Sequence, residues 1–518
     1  MFKTVQPYIT RDEPFGPIDS GDFDLKDVDA LNRLFGRHNA TYKNLRHRPS
    51  IIMGRRGSGK TSYLRTVYFD KQYDYYTEIR TATILENISK VIQEMAKEGA
   101  IFAETLSDLW EKILWTCVLS EIRKRQCLPS SNSYVVSDYL DKVGVKNSDT
   151  VDDVLRKLAE IFEDAKTTNP RDGISEVLKR FDKKNFDNAK SAVIDGLNAS
   201  RKTFVVLMDS LEDFQLNIAS VKYSLQGLLK CVGSMNKPKD VVDIRFCLPT
   251  ELYRTIIEIS SNQTKDFKRA LRLEWKASEL VLIGAQRLMY FLALYYPNFI
   301  KGKSPDDEIR RDEALALFRA VLPEKITNRA GFQENTISYI LRHTQLLPRH
   351  FIMLLNSIFR RASVTQSLAP FPMSEEKITH GIRDVEEPIV REIFGAFKMI
   401  YPTAEETCRR CLPELGHEFS IGDLHRVFTQ HGKAVFGSDN LFDFERMLLE
   451  IGAMGRVDRD KAADIYIQGN FEYNIEHKLS ISNDDKLCIH PLFSGIFRGS
   501  GNRDRPVYPY GSSMDDED

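Results

Sequence analysis

The sequence predicts an α/β fold: a P-loop-type parallel sheet with a large helical insertion, a helical lid and a C-terminal winged-helix-like domain. Three observations predict this fold. A glycine-rich stretch beginning at position 54 lies between an apolar run and a helix-like run. A later apolar run at 203–209 has the form of a strand buried on both faces, and residues 241–248 have the pattern of another strand. Elsewhere the apolar residues mostly recur at helical spacing.

The length of 518 residues predicts several domains. We expect a lead-in at 1–47, whose helix near 29–35 lies beside the first strand, and a P-loop core at 48–275 with its helical insertion at about 84–200. The lid is expected at 276–400, the winged-helix-like domain at 401–500 and an acidic, disordered tail at 501–518.

The glycine-rich stretch has the composition and context of a phosphate-binding loop. It follows the apolar run 51–53 and continues into a helix-like run; its residues are Gly54, Arg55, Arg56, Gly57, Ser58, Gly59, Lys60, Thr61 and Ser62. Glycines let the backbone N–H groups approach phosphates, and a helix N-terminus adds a positive dipole. Lys60 is placed to reach the β- and γ-phosphates, and the Thr61 hydroxyl to bind Mg²⁺. The alternative is a glycine-rich turn with a surface lysine.

The apolar run 203–209 ends in a carboxylate, Asp209. Beside the P-loop strand, Asp209 would lie at the carboxyl edge of the sheet, where open α/β sheets bind ligands. There it would hold Mg²⁺ together with Thr61. Glu212 and Asp213 follow, and either is a candidate to orient or deprotonate an attacking water.

The remaining elements are mainly helical. In the insertion, Trp110 and Trp115 lie on or near the apolar face of one helix, where core packing is the expected role. In the lid, Pro348 begins a helix and Arg349 lies in its first turn. The segment 146–198 is polar and is expected to be an exposed helical insertion. Residues 420–430 and 441–451 form two helices, and β-like runs at 465–467 and 487–489 follow, which is the order of a winged helix.

Composition excludes several classes of protein. The formal net charge is −1, so attraction of the whole chain to nucleic acid or to an anionic membrane is not indicated. The seven cysteines are scattered, and the single C-x-x-C at Cys408 and Cys411 lacks the second pair that a zinc site needs. The N-terminus shows no signal sequence, and no segment is expected to reach transmembrane length. We therefore expect a cytoplasmic protein.

The order of these motifs resembles the AAA+/STAND-type P-loop ATPases, especially the branch that contains origin-recognition-type initiators and many bacterial defence ATPases. The resemblance implies that ATP and Mg²⁺ are the ligands of the loop. It places the family's Walker B segment at 208–213, sensor 1 at Thr250 and the sensor 2 arginine at Arg349. The chain departs from simple members in its large insertion between Lys60 and Asp209. It also departs in having Ser210 next to Asp209, which leaves the catalytic carboxylate open.

Three functions remain open. The first is an ATP-driven switch that assembles with a protein partner or effector, as in bacterial antiphage or conflict systems, and that forms a homo-oligomer. The second is a DNA-binding initiator-like or transposition-regulator-like ATPase, and the third a small-molecule kinase or nucleotide-binding scaffold. In an oligomer, three arginines are candidates to complete the site of a neighbouring subunit: Arg254, Arg269 and Arg272.

Charge favours the protein-partner function over DNA binding. Residues 417–500 carry nine Lys/Arg and thirteen Asp/Glu, a formal charge of −4. DNA affinity depends on clustered Lys and Arg. In the helix that would enter the major groove, Asp443, Glu445 and Glu450 outnumber the basic residue Arg446. We expect these three acidic residues to be exposed and to contact protein, and Phe442, Phe444, Met447 and Leu448 to be buried.

Overall fold

The computed structural model describes residues 3–22, 27–35, 48–66, 72–80, 103–168, 178, 181–209, 219–235, 241–252, 257, 269–300, 302, 304–328, 331–364, 371–458, 466–474, 479–497 and 505–510. The chain forms two compact units. The first unit comprises 1–42, 56–59 and 274–518, and the second comprises 43–55 and 60–273. Elements are numbered along the chain, and the first helix, α1 (Val28–Phe35), belongs to the first unit.

The second unit is built on a parallel five-stranded sheet. Its strands are β1 (Ile51–Gly54), β2 (Tyr75–Arg80), β3 (Phe204–Asp209), β4 (Val242–Pro249) and β5 (Ala270–Arg272), in the order β2-β3-β4-β1-β5. Every residue of β1 and β4 is buried. Strands that are buried along their whole length are typical of a parallel sheet covered on both faces, and this sheet confirms the predicted α/β fold class.

Two details of the sheet differ from the sequence prediction. We expected β3 beside the P-loop strand β1, but β4 lies between them and pairs with both. The strand β5 was missed, because only three residues form it and it pairs on one side only, with β1.

Helices account for most of the rest of the second unit. They are α2 (Lys60–Arg65), α3 (Ala103–Arg125), α4 (Ser130–Lys142), α5 (Val151–Thr168), α6 (Lys183–Ser200) and α7 (Ala219–Met235). The predicted helical insertion is confirmed within 103–168 and 183–200. Trp110 and Trp115 are core residues as predicted, and Trp110 Nε1 donates to the Ser224 carbonyl at 2.9 Å. The polar segment 146–198 is not merely exposed, because Leu158 of α5 and Phe186 of α6 are buried.

The first unit begins with the N-terminal segment and the lid helices. Its elements up to residue 397 are α1, α8 (Ala277–Tyr295), α9 (Arg311–Val321), β6 (Lys325–Thr327), β7 (Gln333–Asn335), α10 (Thr336–Arg342), α11 (Pro348–Val364) and α12 (Glu375–Phe397). The start of α11 at Pro348 is as predicted. The short antiparallel pair β6–β7 was not predicted in this helical region.

One buried arginine holds the N-terminal segment against α8. Arg287 Nη1 donates to the carbonyls of Phe15 and Pro17 at 2.7 and 2.8 Å, and Nη2 donates to that of Leu34 at 3.3 Å. Burial lowers the pKa of Arg287 to about 9. The helix α1 therefore packs within the first unit.

The helix α8, of 19 residues, is long and apolar enough to cross a membrane by length and composition, with a mean hydropathy of 1.3 over an 18-residue window. The expectation that no segment reaches transmembrane length was therefore wrong. However, 72% of its apolar window is buried within the protein. That burial is typical of a core helix.

The C-terminal part of the first unit combines short helices with a mixed sheet. Its elements are α13 (Ala404–Cys411), β8 (Glu418–Ser420), α14 (Ile421–Val427), a π-helical turn (Phe428–Gly432), α15 (Lys433–Phe436), α16 (Leu441–Glu450), β9 (Met454–Val457), β10 (Ile467–Asn470), β11 (Lys486–Ile489), α17 (Pro491–Phe497) and β12 (Val507–Tyr508). The strand order is β12-β10-β9-β11-β8, with β10 and β12 parallel and the other pairs antiparallel. The two β-like runs that we predicted, β10 and β11, each pair with β9, which was not predicted.

Part of the predicted disordered tail is ordered. Val507 and Tyr508 form β12 and are buried, and Tyr510 is buried as well. The Tyr508 hydroxyl hydrogen-bonds to the Glu334 carboxylate, and the Tyr510 hydroxyl to the Ser338 carbonyl. The prediction of disorder was therefore wrong for 505–510, and the acidic end at 515–518 lies outside the described residues.

The helix α16 corrects one part of the predicted burial pattern. Phe444, Met447 and Leu448 are buried as predicted, but Phe442 is 62% exposed. Phe442 lies two positions, about 200°, from Phe444 around the helix and so faces away from the buried side.

The acidic residues of α16 were expected to be exposed but are only partly so. Glu445 pairs with His425 at 2.6 Å, and Glu450 pairs with Arg446 at 2.6 Å. Asp443 accepts a hydrogen bond from Asn440 Nδ2 at 2.8 Å. All three acidic side chains are therefore engaged within the unit.

Candidate functional site

The carboxyl edge of the parallel sheet brings together the ends of β1, β3 and β4. In the strand register, Gly54 at the end of β1 pairs with Pro249 at the end of β4. Because Thr250 follows Pro249, it lies one strand away from the start of the glycine-rich loop. Asp209 ends β3, on the far side of β4. Polar residues from three strands thus lie along the edge where parallel sheets bind ligands.

The loop after β1 has a backbone that only glycine adopts readily. Gly57 and Gly59 have φ angles of +81° and +88°, in the left-handed region. Between them Ser58 is buried, and its Oγ atom has no hydrogen-bond partner among the described residues. The Ser58 carbonyl accepts a hydrogen bond from Trp275 Nε1 at 2.8 Å. The residues present therefore fit a loop that turns N–H groups toward an anion.

Lys60 is the first residue of α2, which follows the loop. Its side chain is buried, and Nζ donates to the Arg55 carbonyl at 3.1 Å. The ammonium is thus folded back on the loop that contains it, rather than solvated. Thr61 is half-buried and Ser62 is buried, both in the first turn of α2.

Asp209 lies two strand spacings from β1, a lateral distance of about 10 Å. The register places Met208 level with Phe246 and Phe246 level with Ile51, so Asp209 is level with Ile52. Its side chain is half-buried. Glu212 and Asp213, the two candidates for water activation, lie outside the described residues.

Thr250 begins a single 3₁₀ turn, Thr250–Leu252, directly after β4. Its Oγ1 atom is buried and has no hydrogen-bond partner among the described residues. A buried hydroxyl without a partner costs free energy, about 1–3 kcal/mol, unless water or a ligand satisfies it. This position beside the loop is the one at which the resemblance places sensor 1.

Arg349 lies in the first turn of α11 and contacts the glycine-rich loop within the first unit. Its backbone N–H donates to the Gly57 carbonyl at 3.4 Å. A Cβ atom added to Gly57 would lie 3.0 Å from the Arg349 Cβ atom. The guanidinium forms ion pairs with Asp19 and Glu392, both at 2.5 Å. The structure thus places Arg349 against the loop, with its guanidinium ion-paired to two carboxylates.

Sequence reasoning missed three residues that contact this loop or Arg349: Trp275, Asp19 and Glu392. The indole N–H of Trp275 is the one signal in the sequence that could have indicated a hydrogen-bonding role. Asp19 and Glu392 lie 330 and 43 positions from Arg349. No local pattern predicts pairs at such separations.

The three arginines considered as donors to a neighbouring subunit differ in their surroundings. Arg269 is half-buried and pairs with Asp243 at 3.4 Å, so it already has a structural role. Arg272 is exposed on the edge strand β5. Arg254 lies outside the described residues.

The described residues show no group of three or more His, Cys, Asp or Glu side chains arranged to hold a metal ion. Cys408 and Cys411 are both buried as free thiols. Burial raises the pKa of Cys408 well above its usual range and that of Cys411 to about 12. Both are therefore neutral, structural thiols near neutral pH. The Thr61 hydroxyl and the Asp209 carboxylate offer oxygen ligands of the type that Mg²⁺ prefers.

No family model and no curated protein matches this chain. Among solved structures, it is similar to the Aeropyrum pernix ORC2 protein in ADPNP–ADP complexes, at 12% identity over 90% of this chain and 89% of that chain, with a TM-score of 0.35. The ADP form of that protein gives 13% identity, 92% and 93% coverage and a TM-score of 0.30. Cdc6p from Pyrobaculum aerophilum is similar at 12% identity over 92% of this chain and 94% of that chain, with a TM-score of 0.22. These TM-scores are too low to carry an argument, so the fold class rests on the strand order and the loop.

Proposed function

We propose that this chain is an ATP-binding P-loop ATPase of the AAA+ type, with slow turnover, that acts as a switch for a protein partner. The observation that carries the proposal is the position of the 54–61 loop. It follows an inner strand of a parallel sheet, and two of its glycines have positive φ angles.

Each residue of the site receives a role on this proposal. The loop N–H groups and Lys60 bind the phosphates, and Thr61 and Asp209 hold Mg²⁺, which neutralises phosphate charge when bound. Thr250 donates a hydrogen bond to the terminal phosphate or to the attacking water. Arg349 binds the γ-phosphate. Glu212 or Asp213 orients the water, a role proposed from sequence alone.

The first test is nucleotide binding by Lys60→Ala. Loss of a hydrogen bond to a charged partner costs about 1.5–3 kcal/mol, so we expect ATP affinity to fall tenfold or more. Lys183→Ala, an exposed lysine on a helix of the same unit, is the matched control. Because Lys60 is buried, circular dichroism checks that the variant folds. Equal ATP affinity of the variant and the parent in calorimetry would contradict the proposal.

The second test concerns two carboxylates, Asp209 in metal binding and Glu212 in hydrolysis. We expect Asp209→Ala to lose the Mg²⁺-dependent part of ATP binding. Glu212→Gln should bind ATP normally and hydrolyse it slowly, because the amide cannot accept a proton from water. Hydrolysis by Glu212→Gln at the parental rate would transfer the role to Asp213 or to a partner protein.

The switch proposal concerns what the nucleotide state controls. We propose that ATP promotes self-association or partner binding more than ADP does, and that Arg272 is the described arginine best placed to act on a neighbouring subunit. The resemblance alone suggests a bacterial antiphage or conflict system. Light scattering in the apo, ADP and ATP states tests the switch, and a single unchanged species with and without partner would contradict it.

A DNA-binding initiator-like ATPase is the second candidate. The observation that favours it is the order of the C-terminal elements, in which α14 and α16 are followed by the antiparallel pair β9–β10, as in a winged helix. The acidic charge of 417–500 opposes it. Since β12 belongs to the same sheet, the full chain should be tested against duplex DNA at about 50–200 mM salt. Extensive phosphate contacts would lose roughly 10³-fold affinity over that range.

A further inference from the structure

Arg349 is held between two carboxylates that come from distant parts of the first unit. Nη2 pairs with Asp19 Oδ2 at 2.5 Å, in the N-terminal segment, and Nη1 pairs with Glu392 Oε1 at 2.5 Å, on α12. The Arg349 and Glu392 side chains are each 19% exposed and that of Asp19 is 41% exposed. Both ends of the guanidinium fork are therefore engaged, in a partly desolvated setting where ion pairs are stronger than at an open surface.

The rest of Arg349 is fixed against the loop. Its N–H bonds to the Gly57 carbonyl, and its Cδ atom would lie 3.3 Å from a Cβ atom added to Gly57. The stem thus lies directly on the loop backbone, and only the guanidinium end is left to change partners. Turning that end away from the carboxylates requires breaking one or both ion pairs.

Asp19, Arg349 and Glu392 together carry a formal charge of −1. Arg56, whose Nε atom lies 4.0 Å from Glu392 Oε1, adds a nearby positive charge. A terminal phosphate competes with the carboxylates for the same two nitrogen atoms, because a guanidinium binds phosphate and carboxylate in the same two-pronged manner. ADP lacks the γ-phosphate that would compete.

We infer that Asp19 and Glu392 are positioning residues that set the discrimination between ATP and ADP by holding Arg349 away from the γ-phosphate. The inference rests on the proposed function, since it requires the loop to bind ATP. ATP must displace at least one carboxylate to reach Arg349, whereas ADP leaves both ion pairs in place. By linkage, ATP and the Asp19 contact oppose each other, so ATP releases the N-terminal segment from Arg349.

The test compares a non-hydrolysable ATP analogue (ADPNP) with ADP in calorimetry on the full chain. Asp19→Asn and Glu392→Gln keep side-chain size and an acceptor oxygen but remove the charge. We expect each to tighten ADPNP binding about two- to tenfold while ADP affinity stays within twofold, the range that partly exposed ion pairs support. The gain should shrink as salt is raised.

Two controls separate this effect from a general change in the protein. Glu387→Gln lies on the same helix as Glu392, pairs with the exposed Arg391 and should leave both affinities unchanged. Arg349→Ala should remove the gain caused by Asp19→Asn, because the two act through one contact.

The outcomes distinguish this inference from the proposed function. If the parent binds neither nucleotide and Lys60→Ala changes nothing, both are overturned. If the parent binds both nucleotides but the ratio of ADPNP to ADP affinity stays constant in the two charge-removing variants, the inference alone fails. Weaker ADPNP binding by these variants would also overturn it, because the carboxylates would then be aiding Arg349.

Discussion

Two glycines of α12 differ in what a methyl group would meet, so they provide a test of the packing between α11 and α12. A Cβ atom added to Gly381 would lie 2.8 Å from the Ile358 Cα atom and 3.0 Å from its N atom, both backbone atoms of α11. A Cβ atom added to Gly395 would meet no atom within 4 Å among the described residues outside its own stretch of helix. Helix propensity favours alanine over glycine at both positions, by about 0.8–1.0 kcal/mol in a helix interior.

The magnitudes follow from these contacts. Gly395→Ala should stabilise the protein by about 0.5–1 kcal/mol, the lower end applying because the residue lies near the end of the helix. At Gly381 the same gain is offset by overpacking, which costs about 1–3 kcal/mol because backbone cannot yield as a flexible side chain does. The two variants should therefore differ by about 1–3 kcal/mol, with Gly381→Ala the less stable.

Urea unfolding followed by circular dichroism measures this difference. We expect the transition midpoint to fall or stay unchanged for Gly381→Ala and to rise for Gly395→Ala, with equal slopes. A Gly381→Ala protein as stable as Gly395→Ala would refute the close approach of the two helices. A change in slope would instead indicate that the two units unfold separately.

Two further predictions concern buried groups. Arg287→Ala should lower the free energy of unfolding by about 3–5 kcal/mol, because it removes the hydrogen-bond donors of three buried carbonyls. Arg391→Ala, at an exposed position of α12, is the control and should change the free energy of unfolding by less than about 0.5 kcal/mol; thermal unfolding of both variants measures the difference. Cys127, the least buried cysteine, should react first with iodoacetamide at pH 8, because burial leaves Cys408 and Cys411 with almost no thiolate. Mass spectrometry of peptides measures the rate of labelling at each cysteine. Equal labelling rates at all three cysteines would contradict the prediction.

The strands of the parallel sheet were predictable where burial on both faces makes the whole strand apolar. Such runs mark β1 and β3, and both were recognised from sequence. The strand β4 was recognised as well, although it buries Asp243 and Arg245 among its apolar residues. The strand β5 was not, because an edge strand of three residues needs no apolar run. The strand β12 was missed for a related reason: Pro506 and Pro509 flank it and suggest an irregular tail, yet pairing with β10 orders it.

The order of strands within the sheet did not follow from the chain. Apolar runs specify that β3 and β4 are buried but carry no information on which neighbours β1. Hydrogen-bond register settles that β4 lies between them, and this moves Asp209 one strand further from the loop than sequence reasoning placed it.

Some residues of the candidate site could be identified from the neighbouring sequence, and others are brought to the site only by tertiary packing. Local chemistry identifies the loop: glycines at Gly57 and Gly59, then a lysine and a hydroxyl residue, occur within five consecutive positions. A proline at the first position of α11 likewise indicates where Arg349 lies in its helix. The partners of Arg349 come from elsewhere in the chain, and only tertiary packing brings Asp19 and Glu392 to it.

Gly57 is constrained by two independent demands, and together they explain why the loop and Arg349 act as one element. Its φ of +81° excludes most side chains because the left-handed region is costly for residues with a Cβ atom. Separately, the stem of Arg349 occupies the space that a side chain would need, at 3.0 Å. A change of loop conformation at Gly57 must therefore move Arg349 or its contacts, and a movement of the Arg349 stem must affect the loop. The ion pairs of Arg349 with Asp19 and Glu392 extend that coupling to the N-terminal segment and to α12, both within the first unit.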